Sequence, residues 1–289
     1  MKKEEPENQK QHKVSQVYLK HFGYKKNEEF WLSILEIGKT ETENIRVNDF
    51  TIETNIFDLP FEDFEIRRGF ENMSNQIENH YNILISNLHN QKQLNSKDTK
   101  FLYFFVANIL CRTNPFRNFI NGLLTDNLTR EKFISEISHF SNDKKDIEFV
   151  LNYFEKENQL NIILETIMHY LANVFKHFNK VFIKDFNNIG WLTTDSPVHL
   201  DTQGKYGVLI PIESEIYLSL SKDFCLFMYH PSSEIQTNPL RSLKKDKINE
   251  IDFDTFDEVT KKITFDYDKY LVFNTEFEPT KIELNKKYK

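Results

Sequence analysis

The stretch W-L-T-T-D-S-P-V-H-L, Trp191–Leu200, combines the signals of a strand end with those of a functional site. Two β-branched threonines precede Asp195, and such residues favour an extended strand. Pro197 fixes its own φ and restricts Ser196 to extended geometry, so the chain is expected to turn sharply after Asp195. Asp195 is therefore either a functional carboxylate at a strand end or an Asx-turn residue that caps its own backbone.

The remainder of the chain divides into three segments by the period of its apolar residues. Alternating bulky residues predict an N-terminal strand at Phe30–Ile37, and a helical period follows over residues 62–180. Short strand-like runs return over residues 181–285. This order predicts an α+β fold with short N-terminal strands, a helical middle block and a mixed or antiparallel C-terminal sheet. We expect one compact domain over residues 12–289, after a disordered polar tail at residues 1–11.

Apolar residues spaced by three and four locate the helices. The predicted helices are Gln11–Tyr24, Phe64–Leu88, Thr99–Cys111, Arg130–Phe140, Asp143–Phe178 (with a break near Asn158) and Ile248–Lys262. The predicted C-terminal strands are Val181–Phe186, Trp191–Thr194, Val208–Ile210, Glu215–Leu220, Phe224–Tyr229 and Tyr270–Phe273. Pro115 follows the helix at Thr99–Cys111 and is expected to end it.

Composition excludes several classes of protein. The net charge is −7, and a broad nucleic-acid surface needs a surplus of Lys and Arg, so any nucleic-acid contact must use a local patch. The chain has only 7 glycines, where about 20 are usual for this length. Glycine-rich phosphate loops are therefore disfavoured, and Gly38–Thr40, which lacks the upstream glycine of a P-loop, is interpreted as a hairpin loop.

The sequence predicts a cytoplasmic protein with no membrane partner. Cys111 and Cys225 both lie in apolar runs, which favours buried free thiols over a disulfide or a metal site. The charged N-terminus shows no signal peptide, and the longest apolar run, Phe101–Cys111, is too short to cross a bilayer. The partners are unknown from sequence, and an oligomer is compatible with it.

Three short motifs occur in order along the chain. The first joins His12, Ser15, Tyr18, Leu19 and Phe22 in the pattern His-x-x-Ser-x-x-Tyr-Leu-x-x-Phe. The second is Glu78 followed, after an aromatic helix, by Arg-Thr-Asn-Pro at Arg112–Pro115. The third is Thr-Thr-Asp-Ser-Pro-Val at Thr193–Val198, followed by Ile-Pro-Ile at Ile210–Ile212.

With these motifs the chain resembles the bacterial family named domain of unknown function 4238. That family usually has proline at the position of Ser15 and no residue at that of Asn114, so this chain departs from the pattern at two loops. The family name carries no established activity. The resemblance covers most of the chain and implies one compact unit, because the motifs come from both ends.

The candidate catalytic residues are His12, Glu78, Arg112 and Asp195. A histidine, two carboxylates and an arginine could serve as general acid or base, as metal ligands and as a phosphate clamp. Asp195 and Glu78 are the candidate ligands of a divalent metal ion. The structural alternative is a buried salt-bridge network, in which Arg112 is expected to be buried and to pair mainly with Glu78.

A second candidate lies on the last long helix, where Glu165, His169, Asn173 and His177 recur every four residues. Such a stripe either binds a metal or forms the solvent-facing edge of a mostly buried helix, and we favour the edge. His199 and Asp201 alternate on a strand and either join Asp195 around an ion or end a surface hairpin.

The function indicated most strongly is a hydrolase acting on a nucleotide or nucleic-acid phosphate, with phage defence as a setting. The basis is the Asp, Glu, His and Arg set together with the absence of a Gly-x-Ser-x-Gly nucleophile motif. The alternative is a non-enzymatic module that binds a ligand or a protein, with Arg112 as anion anchor. A purely structural network is the third hypothesis, so the sequence leaves open whether the protein is an enzyme.

Overall fold

Short strands open the chain, helices fill its middle and a larger mixed sheet follows, which confirms the predicted α+β order. The computed structural model describes residues 8–91, 93–139, 144–201, 209–234, 237–265 and 267–273. The elements before the helical block are β1 (Lys10–His12), α1 (Gln16–Leu19), β2 (Tyr24–Lys26), β3 (Glu29–Glu36), β4 (Glu43–Arg46), a 3-10 turn (Val47–Asp49) and β5 (Ile52–Thr54).

The N-terminal helix is much shorter than predicted. Residues Lys10–His12, partly assigned to a disordered tail, pair with β5, and residues 1–7 lie outside the described part of the chain. The predicted apolar face is nevertheless correct, because it is fully buried at Val14, Tyr18, Leu19 and Phe22. Gly23 follows this turn where the chain passes the Trp31 carbonyl, and a Cβ there would lie 2.5 Å from that oxygen.

The helical block contains more breaks than the periodicity indicated. Its helices are α2 (Phe64–Arg67), α3 (Gly69–Glu78), α4 (Tyr81–Gln91), α5 (Ser96–Arg112), α6 (Asn114–Thr125), α7 (Asn127–Ile137), α8 (Lys144–Tyr153) and α9 (Lys156–Phe175). Asn95 caps α5 by accepting from the Asp98 backbone N–H at 2.9 Å. Pro115 lies in the first turn of α6, where its missing N–H has no cost, so it separates two helices rather than beginning a loop.

Two larger sheets carry the remaining strands. These are β6 (Asn179–Lys184), β7 (Thr193–Thr194), β8 (Val198–Asp201), β9 (Glu215–Ser219), β10 (Phe224–Tyr229), β11 (Ile248–Asn249) and β12 (Tyr270–Phe273), with α10 (Phe253–Ile263) before the last. One sheet has the order β11-β6-β10-β9-β8 and is antiparallel except for the β11–β6 pair. The other has the order β2-β3-β12-β7, with β4 also on β3.

Strand β12 brings the two ends of the chain together, because it lies between β3 and β7 and is antiparallel to both. Tyr18 of α1 reinforces this closure: its hydroxyl donates to the Ser219 carbonyl at 2.7 Å and also contacts the Thr193 hydroxyl. The strand predicted at Val208–Ile210 is wrong for Leu209 and Ile210, which form a bend, and Val208 lies outside the described residues.

In the described part of the chain, no helix combines the length and the apolar character that a membrane crossing requires.

Candidate functional site

Arg112, the last residue of α5, is the centre of the candidate site. Its side chain is almost fully buried, and Nη1 and Nη2 donate to the two carboxylate oxygens of Glu71 at 2.8 and 3.0 Å. Nε donates to the backbone carbonyl of His12 at 3.0 Å. The nearest Glu78 oxygen lies 3.7 Å from Nη1. The predicted burial is therefore confirmed, whereas the prediction of Glu78 as main partner is wrong.

The change of partner follows from helix geometry. Glu71 and Glu78 are seven residues apart on α3, so both lie on the face that meets Arg112. Glu71 presents both oxygens to the guanidinium, and such a bidentate pair is the most favourable geometry for arginine. Glu78 is left at the inner end of the same face.

Glu78 is 8% exposed, and its Oε1 has no hydrogen-bond partner among the described residues. The hydroxyl of Ser15 and the Nδ2 of Asn108 lie beside the carboxyl, and both are also buried without a partner. Asn108 Oδ1 accepts from the Ser74 hydroxyl at 2.7 Å, which fixes the amide and leaves Nδ2 as the free donor. Three polar groups thus converge inside the protein without a close hydrogen bond between them, although Ser15 and Asn108 lie near enough to act on the Glu78 carboxyl.

Burial is the main cause of a raised pKa for Glu78, and the neighbouring Glu71 carboxylate adds to it. Arg112, Ser15 and Asn108 act in the opposite direction, since each stabilises the ionised form. A carboxyl with a raised pKa in a polar pocket is typical of a functional site, although structural ion-pair networks shift pKa values as well.

His12 contributes its backbone more than its ring. Its carbonyl accepts from Arg112, while Nδ1 lies 3.2 Å from the Phe50 carbonyl and Nε2 contacts the Gln16 amide. Burial lowers the pKa of His12 below 6.5, so the imidazole is mostly neutral at pH 7. The first motif is therefore attached to the helical block through the His12 carbonyl.

Asp195 belongs to a different group of contacts. Its carboxylate accepts from the backbone N–H groups of Asp268, Lys269 and Tyr270 at 3.0, 2.8 and 3.1 Å. The local turn is capped instead by Thr194, whose hydroxyl accepts from the Ser196 N–H at 3.1 Å. The Asx-turn alternative is therefore wrong, because Asp195 holds a remote segment at the start of β12.

Two opposing effects set the pKa of Asp195. Burial raises it to about 6, although the three backbone N–H groups favour the ionised form. The adjacent Asp268 carboxylate also raises it.

One bridge joins the two groups. Asn114, the residue inserted in the second motif, donates from Nδ2 to the Asp268 carboxylate at 2.7 Å, and the Asp268 N–H donates to Asp195. The structure therefore brings His12, Glu78 and Arg112 together and places Asp195 in a separate but connected cluster.

The described residues contain no group of three His, Cys, Asp or Glu side chains arranged to hold a metal ion. The predicted metal ligands Asp195 and Glu78 contact different partners. Glu165 and His169 lie 3.9 Å apart and are half exposed, which agrees with the solvent-facing edge. His199 is buried beside Tyr217, and Asp201 accepts from Lys262 at 2.5 Å. Neither belongs with Asp195 to a group of three such side chains within the described residues.

Glu71, Ser15 and Asn108 are site residues that the sequence did not predict. Asn108 carried a usable signal: it is the only amide in the apolar run Phe101–Cys111, and a polar residue in such a run must find partners or serve a function. Glu71 carried a weaker signal, namely its seven-residue spacing from Glu78. No sequence pattern indicated the hydroxyl of Ser15.

A family model described as "Protein of unknown function (DUF4238)" matches residues 10–269. This span contains the three motifs and, except for Tyr270, both clusters. No curated protein and no solved structure matches the chain.

Proposed function

We propose that this chain, which belongs to the DUF4238 family, is a hydrolase acting on a phosphate-containing substrate, with Glu78 as general base. The observation that carries the proposal is the buried Glu78 oxygen without a partner. Buried polar atoms are nearly always paired with protein or with ordered water. Three such atoms on Ser15, Glu78 and Asn108 therefore indicate a place for a water molecule.

The donors and acceptors at this place suit a nucleophilic water. The water would accept from Asn108 Nδ2 and donate to Glu78 Oε1, which leaves a lone pair for attack. The water oxygen bonds to phosphorus as the bond from phosphorus to the leaving oxygen breaks. Glu78 takes the proton of the water, and solvent protonates the leaving oxygen.

The electrostatics of Glu78 support the role of base. A general base works best when its pKa approaches the operating pH, and burial raises the pKa of Glu78 in that direction. Because the ionised form is the active base, turnover should rise with pH along a limb centred above 4.5, the ordinary value.

The other three predicted residues have supporting roles in this proposal. Arg112 holds Glu71 and the His12 carbonyl, so it positions α3 and the N-terminal strand around Glu78. Its donors are already engaged, which makes it a positioning residue. Asp195 fixes the start of β12 through three backbone bonds.

The test compares Glu78→Gln with Glu215→Gln, a second buried glutamate whose oxygens accept from Arg241, Tyr217 and Asn238. Phosphate release from nucleoside mono-, di- and triphosphates, and cleavage of a single-stranded oligonucleotide, are measured with and without added Mg²⁺. The wild type should turn over at least one substrate, and Glu78→Gln should lose roughly 10²- to 10⁴-fold.

Glu215→Gln, assayed below its melting temperature, should keep its activity. Full activity of folded Glu78→Gln, or no turnover of any substrate by the wild type, contradicts the proposal. Phage infection of cells that express the wild type or Glu78→Gln tests the defence setting, since only the wild type should protect. The buried free thiols of Cys111 and Cys225 support the cytoplasmic setting.

A non-enzymatic ligand-binding module is the second candidate. Four of the five N–H groups of Arg112 already donate to Glu71 and to the His12 carbonyl, so the ligand of such a module would not use Arg112 as the predicted anion anchor. Ligand binding without turnover, unchanged in Glu78→Gln, would select this alternative.

A further inference from the structure

Arg117, in the first turn of α6, has no carboxylate within ion-pair distance among the described residues, and the Glu53 carboxylate acts on it only from farther away. Its Nη2 donates to the Asn161 side-chain oxygen at 3.0 Å and to the Ile56 carbonyl at 3.4 Å, both of which are neutral acceptors. Its Nη1 is buried and has no hydrogen-bond partner, and no described carboxylate lies within ion-pair distance. The N–H groups of Nη1 are therefore unused as hydrogen-bond donors.

The other arginines of the helical block show how unusual this is. Arg112 pairs with Glu71, while Arg67 and Arg68 lie 3.9 and 2.6 Å from Asp58. Arg130 also has no carboxylate within ion-pair distance in the described part of the chain, but its two terminal nitrogens donate to Gln159 and Asn152 at 3.3 and 3.1 Å. Arg117 alone in this set combines the lack of a counterion with a terminal nitrogen that is buried and unpaired.

A half-buried guanidinium without a contacting counterion is unfavourable, because the more distant Glu53 carboxylate offsets only part of the desolvation. Burial accordingly lowers the pKa of Arg117 to about 10. An anion on Nη1 would remove this penalty, and phosphate oxygens match the donor geometry of arginine.

Arg117 also lies next to the Arg112 cluster. The guanidinium carbons of Arg112 and Arg117 are 4.6 and 5.1 Å from the centroid of the same ring, Phe57. Each charge is close enough to influence the other. Arg112 in turn lies 3.7 Å from Glu78, so Phe57 connects Arg117 to the group of residues that contains Glu78.

We infer that Arg117 is a phosphate-binding residue that holds the terminal phosphate of a small nucleotide beside Glu78. This inference rests on the proposed function and names its substrate class. A small nucleotide is favoured over a nucleic-acid strand because the chain carries a net charge of −7, which repels a polyanion, and because a single half-buried guanidinium suits one phosphate group.

The experiment measures binding without turnover, by calorimetry on the full chain. Inorganic phosphate, AMP, adenosine and a single-stranded oligonucleotide are titrated into the wild type, Arg117→Gln and Arg130→Gln. The wild type should bind phosphate and AMP but not adenosine. Arg117→Gln should weaken both roughly 10- to 100-fold, since it removes a charge-assisted bond, whereas Arg130→Gln should bind like the wild type.

Circular dichroism checks that each variant is folded. If Arg117→Gln does not fold, Arg117→Lys takes its place, and it should weaken AMP binding because lysine lacks the planar donor pair. Unchanged affinity in the folded Arg117 variant, or no phosphate binding by the wild type, overturns the inference. Tighter binding of the oligonucleotide than of AMP overturns the assignment to a small nucleotide.

The binding result for Arg117 can be distinguished from the activity result that tests the proposed function. Phosphate binding that depends on Arg117, together with full activity of Glu78→Gln, contradicts only the role of Glu78. Turnover that depends on Glu78, together with phosphate binding that ignores Arg117, contradicts only the role of Arg117.

Discussion

Two buried arginine–glutamate groups lie in different regions of the molecule, and they differ in one respect. In the Arg241 group, Arg241 Nε donates to Glu215 Oε1 at 2.8 Å, and Glu215 Oε2 accepts from Tyr217 and Asn238 at 2.9 and 2.7 Å. In the Arg112 group, formed by His12, Glu71, Glu78 and Arg112, Glu78 Oε1 lies 3.7 Å from Arg112 Nη1 and has no hydrogen-bond partner among the described residues.

The difference separates a structural network from a candidate site. Both oxygens of Glu215 are satisfied by neighbours on β9 and around the 3-10 turn Pro239–Ser242, so this group fixes the start of the interior strand β9. Glu78 shares the burial and the arginine but keeps an acceptor free, beside two other free groups. A buried ion pair alone is weak evidence of function, whereas an incomplete one inside a polar pocket calls for a ligand or a water molecule.

The largest expected effect on the free energy of unfolding tests the feature that the two groups share, namely a buried carboxylate paired with an arginine. Arg112→Met and Arg241→Met should each lower the free energy of unfolding by about 3–5 kcal/mol at neutral pH, because each leaves a buried carboxylate without its counterion. Chemical denaturation of the two variants against the wild type measures this. A loss below about 1 kcal/mol in either variant would show that its pair is not buried as the structure has it.

The elements predicted best from the sequence are those with a strong local pattern. Strands β10 and β12 begin and end where predicted, since each is an apolar run of strand length. Helix α6 was not predicted, because Pro115 was interpreted only as the end of α5. The breaks between α2, α3 and α4 were also missed, and one of them is fixed by a contact with no local signal, between Arg68 and Asp58.

The candidate site was predicted in its residue types but not in its pairing. Arg112 and Glu71 are 41 residues apart, and nothing local selects Glu71 over Glu78. Asp195 binds backbone N–H groups 73–75 residues away, and such partners leave no trace in the side-chain pattern. The single domain over residues 12–289 stays a prediction.

The next effect tests how the two groups differ, by comparing the loss of stability in Glu215→Gln with that in Glu78→Gln. Glu215→Gln should cost about 1.5–3 kcal/mol at pH 7, because the charged acceptor of Arg241 is lost. Glu78→Gln should change the free energy of unfolding by less than about 1 kcal/mol, since it removes a buried charge whose own oxygen is unpaired. Equal losses in the two variants would contradict the comparison.

The pH dependence of stability, compared between the wild type and Glu78→Gln, tests the direction of the shift in the pKa of Glu78. The pKa of Glu78 is raised in the folded protein, so the folded state binds more protons than the unfolded state above pH 4.5. The stability of the wild type relative to Glu78→Gln should therefore fall as the pH rises from about 4.5 through the folded pKa. Thermal melting of both proteins from pH 4 to 8 measures this difference, and contributions from Asp195 cancel because both proteins contain it. A relative stability that rises with pH would mean that the ionised carboxylate is well paired.

The smallest expected effect concerns Ser15, the position where the family usually has proline. Its φ of −53° suits a proline ring, and it precedes the first residue of α1, where proline is tolerated. Ser15→Pro should therefore change the free energy of unfolding by less than about 1 kcal/mol, with a gain from the stiffer unfolded chain offset by the loss of the hydroxyl.

The substitution removes one of the three unpaired groups but leaves Glu78 Oε1 and Asn108 Nδ2 in place. If Glu78 Oε1 and Asn108 Nδ2 suffice to hold a water molecule, turnover by Ser15→Pro should stay within about threefold of the wild type. Asn108→Leu removes the amide donor of the three groups, so it should reduce turnover as strongly as Glu78→Gln. Steady-state kinetics and melting curves of the two variants decide the matter. A large loss of activity in a stably folded Ser15→Pro would mean that the hydroxyl is a required part of the pocket in this chain.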